Sequence, residues 1–241
     1  MVNQASTAQP PQRLTLLGRL LSLPGALLGL LLVSLLGSLL LEYAGMLWFW
    51  PEQGWRHSQA MLHAELGWLG EQFPRSLLLQ DPAASTRITL DWLHAALFER
   101  SGLLDYASQA RGRSHDRNLT GLLAQLYLLL EDFIVASLFV TLTFVVRLII
   151  LTLALPLFAL AAFTGLVDGL VRRDLRKFGA GRESSFIYHR AKRLIIPAIS
   201  APWLLYLALP VSLHPLWVLL PSAALLGVAV AITAGTFKKY V

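Results

Sequence analysis

Apolar residues fall into four long runs separated by polar stretches. Leu20–Leu41 is 22 residues without a charge, enough to cross a ~30 Å hydrocarbon core at ~1.5 Å per residue. Phe133–Val167 is 35 residues interrupted only by Arg147. Leu194–Leu213 contains Pro197, Pro202 and Pro210, and Pro215–Phe237 carries no charge. Leu209–Pro215 is too short for a domain and reads as a turn, so the last two runs predict a helical hairpin.

The stretch between the first two runs has a helical period. Trp55, Leu62, Leu66, Leu69 and Phe73 recur at spacings of 7, 4, 3 and 4, which is one face of a helix. Asp81-Pro82 predicts an N-cap followed by proline at the first helical position, with Gly102 as the stop. The polar segment Ser108–Asn118 then leads to a helix from Leu119 that runs without a break into the second apolar run. That continuity accounts for the run's length, about 52 Å if helical throughout. It places Leu119 to about Phe144 outside the lipid and about Val145–Val167 within it.

Composition supports a membrane protein: 56% of residues are hydrophobic and 14% charged, with a mean hydropathy of +0.60, against roughly 25% charged in soluble domains. The absence of cysteine excludes disulfides, thiolate metal sites and cysteine nucleophiles. The first run is longer than the ~7–15-residue core of a signal peptide and is closed by Glu42-Tyr43, which predicts an uncleaved anchor.

Charge sets the expected topology. The segment 168–193 holds eight basic residues against three acidic, and all four lysines lie there or at the C-terminus. The 42–132 segment has 11 acidic and 7 basic residues and no lysine. Cationic segments stay on the cytoplasmic side, so one crossing by the second run puts the basic loop and both termini together. The expected fold is all-α, an integral membrane protein with four transmembrane helices and a small helical extracytoplasmic domain. Its parts are a cytoplasmic tail (1–19), a first span (20–41), an outer helical domain (42–144) and a second span (145–167). A basic cytoplasmic loop (168–193), spans at 194–213 and 214–237, and a cytoplasmic C-terminus (238–241) follow.

Several residues invite a chemical reading. Arg147 is the one charge inside an apolar run, and intramembrane charge costs ~2.5–3.5 kcal/mol unless paired or hydrated. Glu42, at similar depth, is its expected ion-pair partner, so Arg147→Glu should be rescued by Glu42→Arg. Gly25 and Gly29 in the first span, and Ala223, Gly227, Ala231 and Gly235 at four-residue intervals in the last, are small faces suited to close helix packing. Trp48, Trp50 and Trp55 suit an outer aromatic belt. His57, His63, His94 and His115 lack metal-ligand spacing, and no metal or other cofactor is expected.

In the loop, Arg172, Arg173, Arg176, Lys177, Arg182, Phe186, Tyr188, His189, Arg190, Lys192 and Arg193 form a basic, partly aromatic surface. Anionic lipid headgroups and an acidic cytoplasmic protein are its expected partners. Direct DNA contact is less favoured, since phosphate binding needs only such charges but no base-reading motif is present. Ser185 and His189 share a helical face, yet no orienting acid and no nucleophile elbow accompany them. No catalytic residue is therefore assigned; a membrane-embedded hydrolase using that pair, or a small transporter or pore, are the alternatives.

The stretch Glu183-Ser-Ser-Phe-Ile-Tyr-His-Arg-Ala-Lys-Arg193, preceded by Asp168-Gly-Leu-Val-Arg-Arg-Asp-Leu-Arg-Lys177, resembles a family of bacterial inner-membrane proteins encoded in integrating conjugative elements. The layout of anchor, outer segment, basic loop and closing hairpin is similar over nearly the whole chain. The resemblance implies membership of a DNA-transfer locus, beside a type IV secretion machine and its coupling ATPase. The expected function is that of a non-enzymatic accessory component in the inner membrane, with docking through the basic loop expected from its clustered charge and aromatic residues.

Overall fold

The computed structural model describes residues 16–73, 78, 79, 81–100, 102, 109, 119–178 and 185–237. Among these there are seven α-helices and no strand: α1 (Leu16–Trp48), α2 (Trp55–Gln72), α3 (Pro82–His94), α4 (Leu119–Leu153), α5 (Leu155–Phe178), α6 (Ser185–Ala208) and α7 (Pro215–Thr236).

Local chemistry sets the helix ends much as the sequence predicts. The Asp81 carboxylate accepts the Ala84 amide at 2.9 Å, with Pro82 opening α3. A π-helical turn, Ala95–Glu99, extends α3, closed by Arg100 N–H donating to the Ala95 carbonyl. Gly102 follows at φ +70°, a conformation glycine adopts without steric cost. Glu42-Tyr43 does not end α1, which continues to Trp48. Glu42 is buried and hydrogen-bonded rather than facing water, so it gives the helix no reason to stop.

α4 and α5 are one rod with a break at Ala154. Pro156 lacks the N–H that would bond the carbonyl four residues earlier, and its ring crowds that turn. The rod does not reverse. Arg147 on α4 lies at the α6–α7 turn, whereas farther along, Gly165 and Gly169 of α5 lie against Gly227 and Gly235 of α7. α5 and α7 therefore run in the same direction. α6 runs antiparallel to α7, with Tyr188 beside Phe237 at its start.

Among the described residues, three stretches are long and apolar enough to cross a membrane: Pro24–Trp48, Leu130–Leu175 across the α4–α5 rod, and Pro215–Thr236. The expected count of four is corrected to three by this measure. α6 has 24 residues, but its first turns carry Arg190, Lys192 and Arg193. Its apolar part ends at Ala208, because Leu209–His214 form the turn rather than the end of a span.

The core is built around the second half of α4. Leu142, Phe144, Val146, Ile150 and Leu151 pack with Leu62 and Leu69 of α2, Leu90 and Phe98 of the α3 unit, Tyr206 and Leu207 of α6, and Leu219 of α7. Helix α2 runs parallel to α4, since Trp55 stacks on Phe139 (5.8 Å between ring centroids) and Glu65 meets Arg147.

Candidate functional site

Two polar assemblies stand out: a buried charge cluster in the core and a basic end of the bundle.

Arg147 is 1% exposed and Glu65 fully buried. Arg147 Nε donates to Glu65 Oε1 at 2.8 Å. Its two terminal nitrogens donate to the carbonyls of Leu209 and Val211 in the α6–α7 turn. The Tyr206 hydroxyl donates to Glu65 Oε2 at 2.6 Å, and the guanidinium lies 5.2 Å from the centre of that ring. Both carboxylate oxygens and all three guanidinium nitrogens thus have partners, the condition under which a buried ion pair is tolerable. Burial pushes the Glu65 carboxyl above its usual range; the Arg147 charge and the hydrogen bonds from Tyr206 and Arg147 oppose this. The cluster ties α2, α4, α6 and the α6–α7 turn to one another.

The expected Glu42–Arg147 pair does not form. Tyr43 meets Ser137 (2.6 Å) and Phe133, ten positions before Arg147. At ~1.5 Å per residue this sets Glu42 about 15 Å along the rod from the guanidinium. Glu42 instead accepts hydrogen bonds from Ser58 Oγ (2.6 Å) and His57 Nδ1 (3.0 Å), and His57 stacks on Trp50. Of the three tryptophans assigned to an aromatic belt, Trp48 alone is strongly exposed, at 76%. The missed partner, Glu65, carried a signal: it sits three residues after Leu62 and four before Leu69, on the stripe that α2 buries.

Small residues behave differently at their two locations. Ala223, Gly227, Ala231 and Gly235 face inward, the last three against α5 at Ala161, Gly165 and Gly169. Gly25 and Gly29, expected to pack, have no described neighbour within contact distance.

The second assembly is where α5 ends, α6 begins and α7 ends. Arg172 is exposed and bonds Asp168 at 2.9 Å, one helical turn away; half-buried Arg173 lies 3.6 Å from Asp174. Such surface pairs contribute little stability. Tyr188 packs against Phe237 (6.1 Å), and Lys192 Nζ lies 5.9 Å from the Tyr188 ring centre. His189, Arg190, Lys192 and Arg193 are exposed. Arg182 lies outside the described residues, as do the side chains of Arg176, Lys177, Ser185 and Phe186, although these four positions are helical.

Residues 49–238 match the model of a protein family described as IncC plasmid conjugative DNA transfer protein DtrJ-like. The match agrees with the sequence resemblance in pointing to conjugative DNA transfer; its description names a plasmid rather than an integrating element. No curated protein and no solved structure matches the chain.

Proposed function

The chain belongs to the DtrJ-like family of conjugative DNA transfer proteins, and from that premise we propose that it is a non-enzymatic, inner-membrane accessory of a type IV secretion apparatus. The apparatus belongs to a conjugative plasmid or an integrating conjugative element. The protein works as a scaffold whose basic end docks cytoplasmic transfer machinery. The single observation that carries this reading is the convergence of Arg172, Arg173, Arg190, Lys192 and Arg193 at one end of the bundle, around the Tyr188–Phe237 contact. Aromatic residues flanked by arginine suit a protein hot spot.

The topology follows from the same convergence. The basic ends of α5 and α6 and the end of α7 lie together, and cationic segments favour the cytosol. α6 accompanies α7 along its length and returns the chain across the same thickness. The α2–α3 unit and the first half of α4 then face the periplasm. Anionic headgroups neutralise part of the basic surface, at ~1 kcal/mol per residue near the membrane. The coupling ATPase of the apparatus is the protein partner this surface fits best.

Replacing Arg182, Arg190 and Arg193 together with alanine should lower the conjugation frequency by on the order of tenfold or more, the effect of about 1.4 kcal/mol of lost binding. The amount of protein in the membrane fraction should be unchanged. Transfer at the wild-type frequency would contradict docking through this end.

A further inference from the structure

The α2–α3 hairpin carries exposed apolar side chains that neither the core nor the basic end uses. Ile88 is 71% and Trp92 60% exposed, four residues apart on the face of α3 turned away from the protein. In the connection before α3, Leu78 and Leu79 are 51% and 38% exposed.

The fold says where these side chains point. Helix α2 starts beside Phe139 of α4 and reaches Arg147 at Glu65. At Trp68 it reaches His214, the N-cap of α7, with ring centroids 5.6 Å apart. That is the level at which the membrane-crossing stretch Pro215–Thr236 begins, and Trp217, 80% exposed, marks the interface there. Aromatic residues concentrate at this depth of a bilayer. Because α2 runs in the direction of the rod, and the rod in the direction of α7, the chain beyond Trp68 continues alongside the first turns of α7.

α3 then returns, since Phe98 after it again meets Phe139. At ~1.5 Å per residue, Ile88 lies about 9 Å and Trp92 about 15 Å farther out along α3 than Pro82. Outward from Leu78 the exposed large apolar side chains are two leucines, an isoleucine and a tryptophan; exposed Asp81, Ser85, Arg87, Thr89 and Asp91 lie among them, with Arg87 beside Ile88. A long basic side chain can bury its stem in apolar surroundings while its head reaches phosphate.

We infer that the α2–α3 hairpin dips into the lipid leaflet beside the start of α7, with Leu78 and Leu79 deeper than Ile88, Ile88 below the headgroups and Trp92 among them. Its partner is the bilayer surface, continuous with the lipid that surrounds α7. The hairpin is thus a second membrane attachment, and the Glu65–Arg147–Tyr206 cluster joins it rigidly to the crossing helices. The inference rests on Pro215–Thr236 crossing the bilayer, and on the proposed orientation only for the identity of the leaflet.

The cysteine-free chain allows a direct test. Full-length protein bearing Leu79→Cys, Ile88→Cys or, as an aqueous control, Ala60→Cys on the exposed side of α2 is labelled with an environment-sensitive fluorophore. Each is reconstituted into phosphatidylethanolamine–phosphatidylglycerol vesicles. The labels at 79 and 88 should emit to the blue of the label at 60 and be quenched by nitroxide-bearing lipid, more deeply at 79. Aqueous iodide should quench them several-fold less than the label at 60. Iodide quenching equal to that at 60 would overturn the inference. So would shielding from both iodide and lipid nitroxide, which would mean that a protein surface covers the hairpin. Lipid quenching does not depend on which leaflet is entered. Orientation is read separately by an impermeant thiol reagent at position 60 in cells, so failure of the topology and failure of insertion give different results.

Discussion

Replacing Arg147 with alanine should remove most of the folded protein. The substitution leaves the Glu65 carboxylate in a buried site with one remaining partner, the Tyr206 hydroxyl, and deprives the Leu209 and Val211 carbonyls of their donors. Removing one member of a buried ion pair costs about 3–5 kcal/mol, a large part of the ~5–15 kcal/mol that stabilises a typical folded protein. Arg147→Ala should therefore lower both the steady-state amount in membranes and the thermal midpoint in detergent. Glu65→Met combined with Arg147→Met should recover part of the loss, because two apolar side chains of similar size leave no buried charge. Recovery stays incomplete, since the two turn carbonyls still lack donors. Arg147→Glu should not be rescued by Glu42→Arg, because Glu42 is committed to His57 and Ser58. A rescue by that pair would contradict the arrangement of the core.

The second large effect belongs to the α5–α7 crossing. A Cβ on Gly165 would overlap the carbonyl oxygen of Gly227, and one on Gly169 would overlap the backbone at Ala231. The obstructing atoms are backbone, so no rotamer change relieves the collision, and the helices must separate. Overpacking typically costs about 1–3 kcal/mol per site. Gly165→Val with Gly169→Val should cost on the order of twice that and separate the two helices. Gly25→Val with Gly29→Val, where nothing lies within contact distance, should leave the thermal midpoint of the detergent-solubilised protein nearly unchanged. Equal midpoints for the two double variants would contradict the assigned crossing.

The helical class, the hairpin at the end of the chain and the caps of α3 were all readable, because each depends on a local signal: an apolar run, a proline-marked turn, an Asp-Pro pair. The ladder Ala223–Gly235 was readable as a packing face, but its partner glycines on α5 were not, since Gly165 and Gly169 flank a charged residue at the edge of an apolar run. Arg147 was recognisable as a group in need of a counter-charge. Its partner was misplaced because depth along α1 was judged from the end of its apolar run, whereas the packed helix continues to Trp48. Glu65 went unnoticed because a carboxylate on a leucine stripe looks like an interruption until the helix that carries it is set beside the arginine. The third apolar run was drawn too long for a related reason: hydropathy does not separate the apolar end of a helix, here Ala208, from an apolar turn. The basic surface was visible as charge, and the fold adds that three helix ends bring it together.

Everything proposed for the basic end requires it to face the cytosol, and sidedness in donor cells tests this most directly. In the cysteine-free background, Arg193→Cys and Ala60→Cys are exposed positions at the basic end and on α2. With an impermeant maleimide, Ala60→Cys should be labelled in cells whose outer membrane alone has been opened. Arg193→Cys should be labelled only once the inner membrane is breached. Labelling of Arg193→Cys before that breach would put the basic surface on the far side from the transfer machinery and contradict the account.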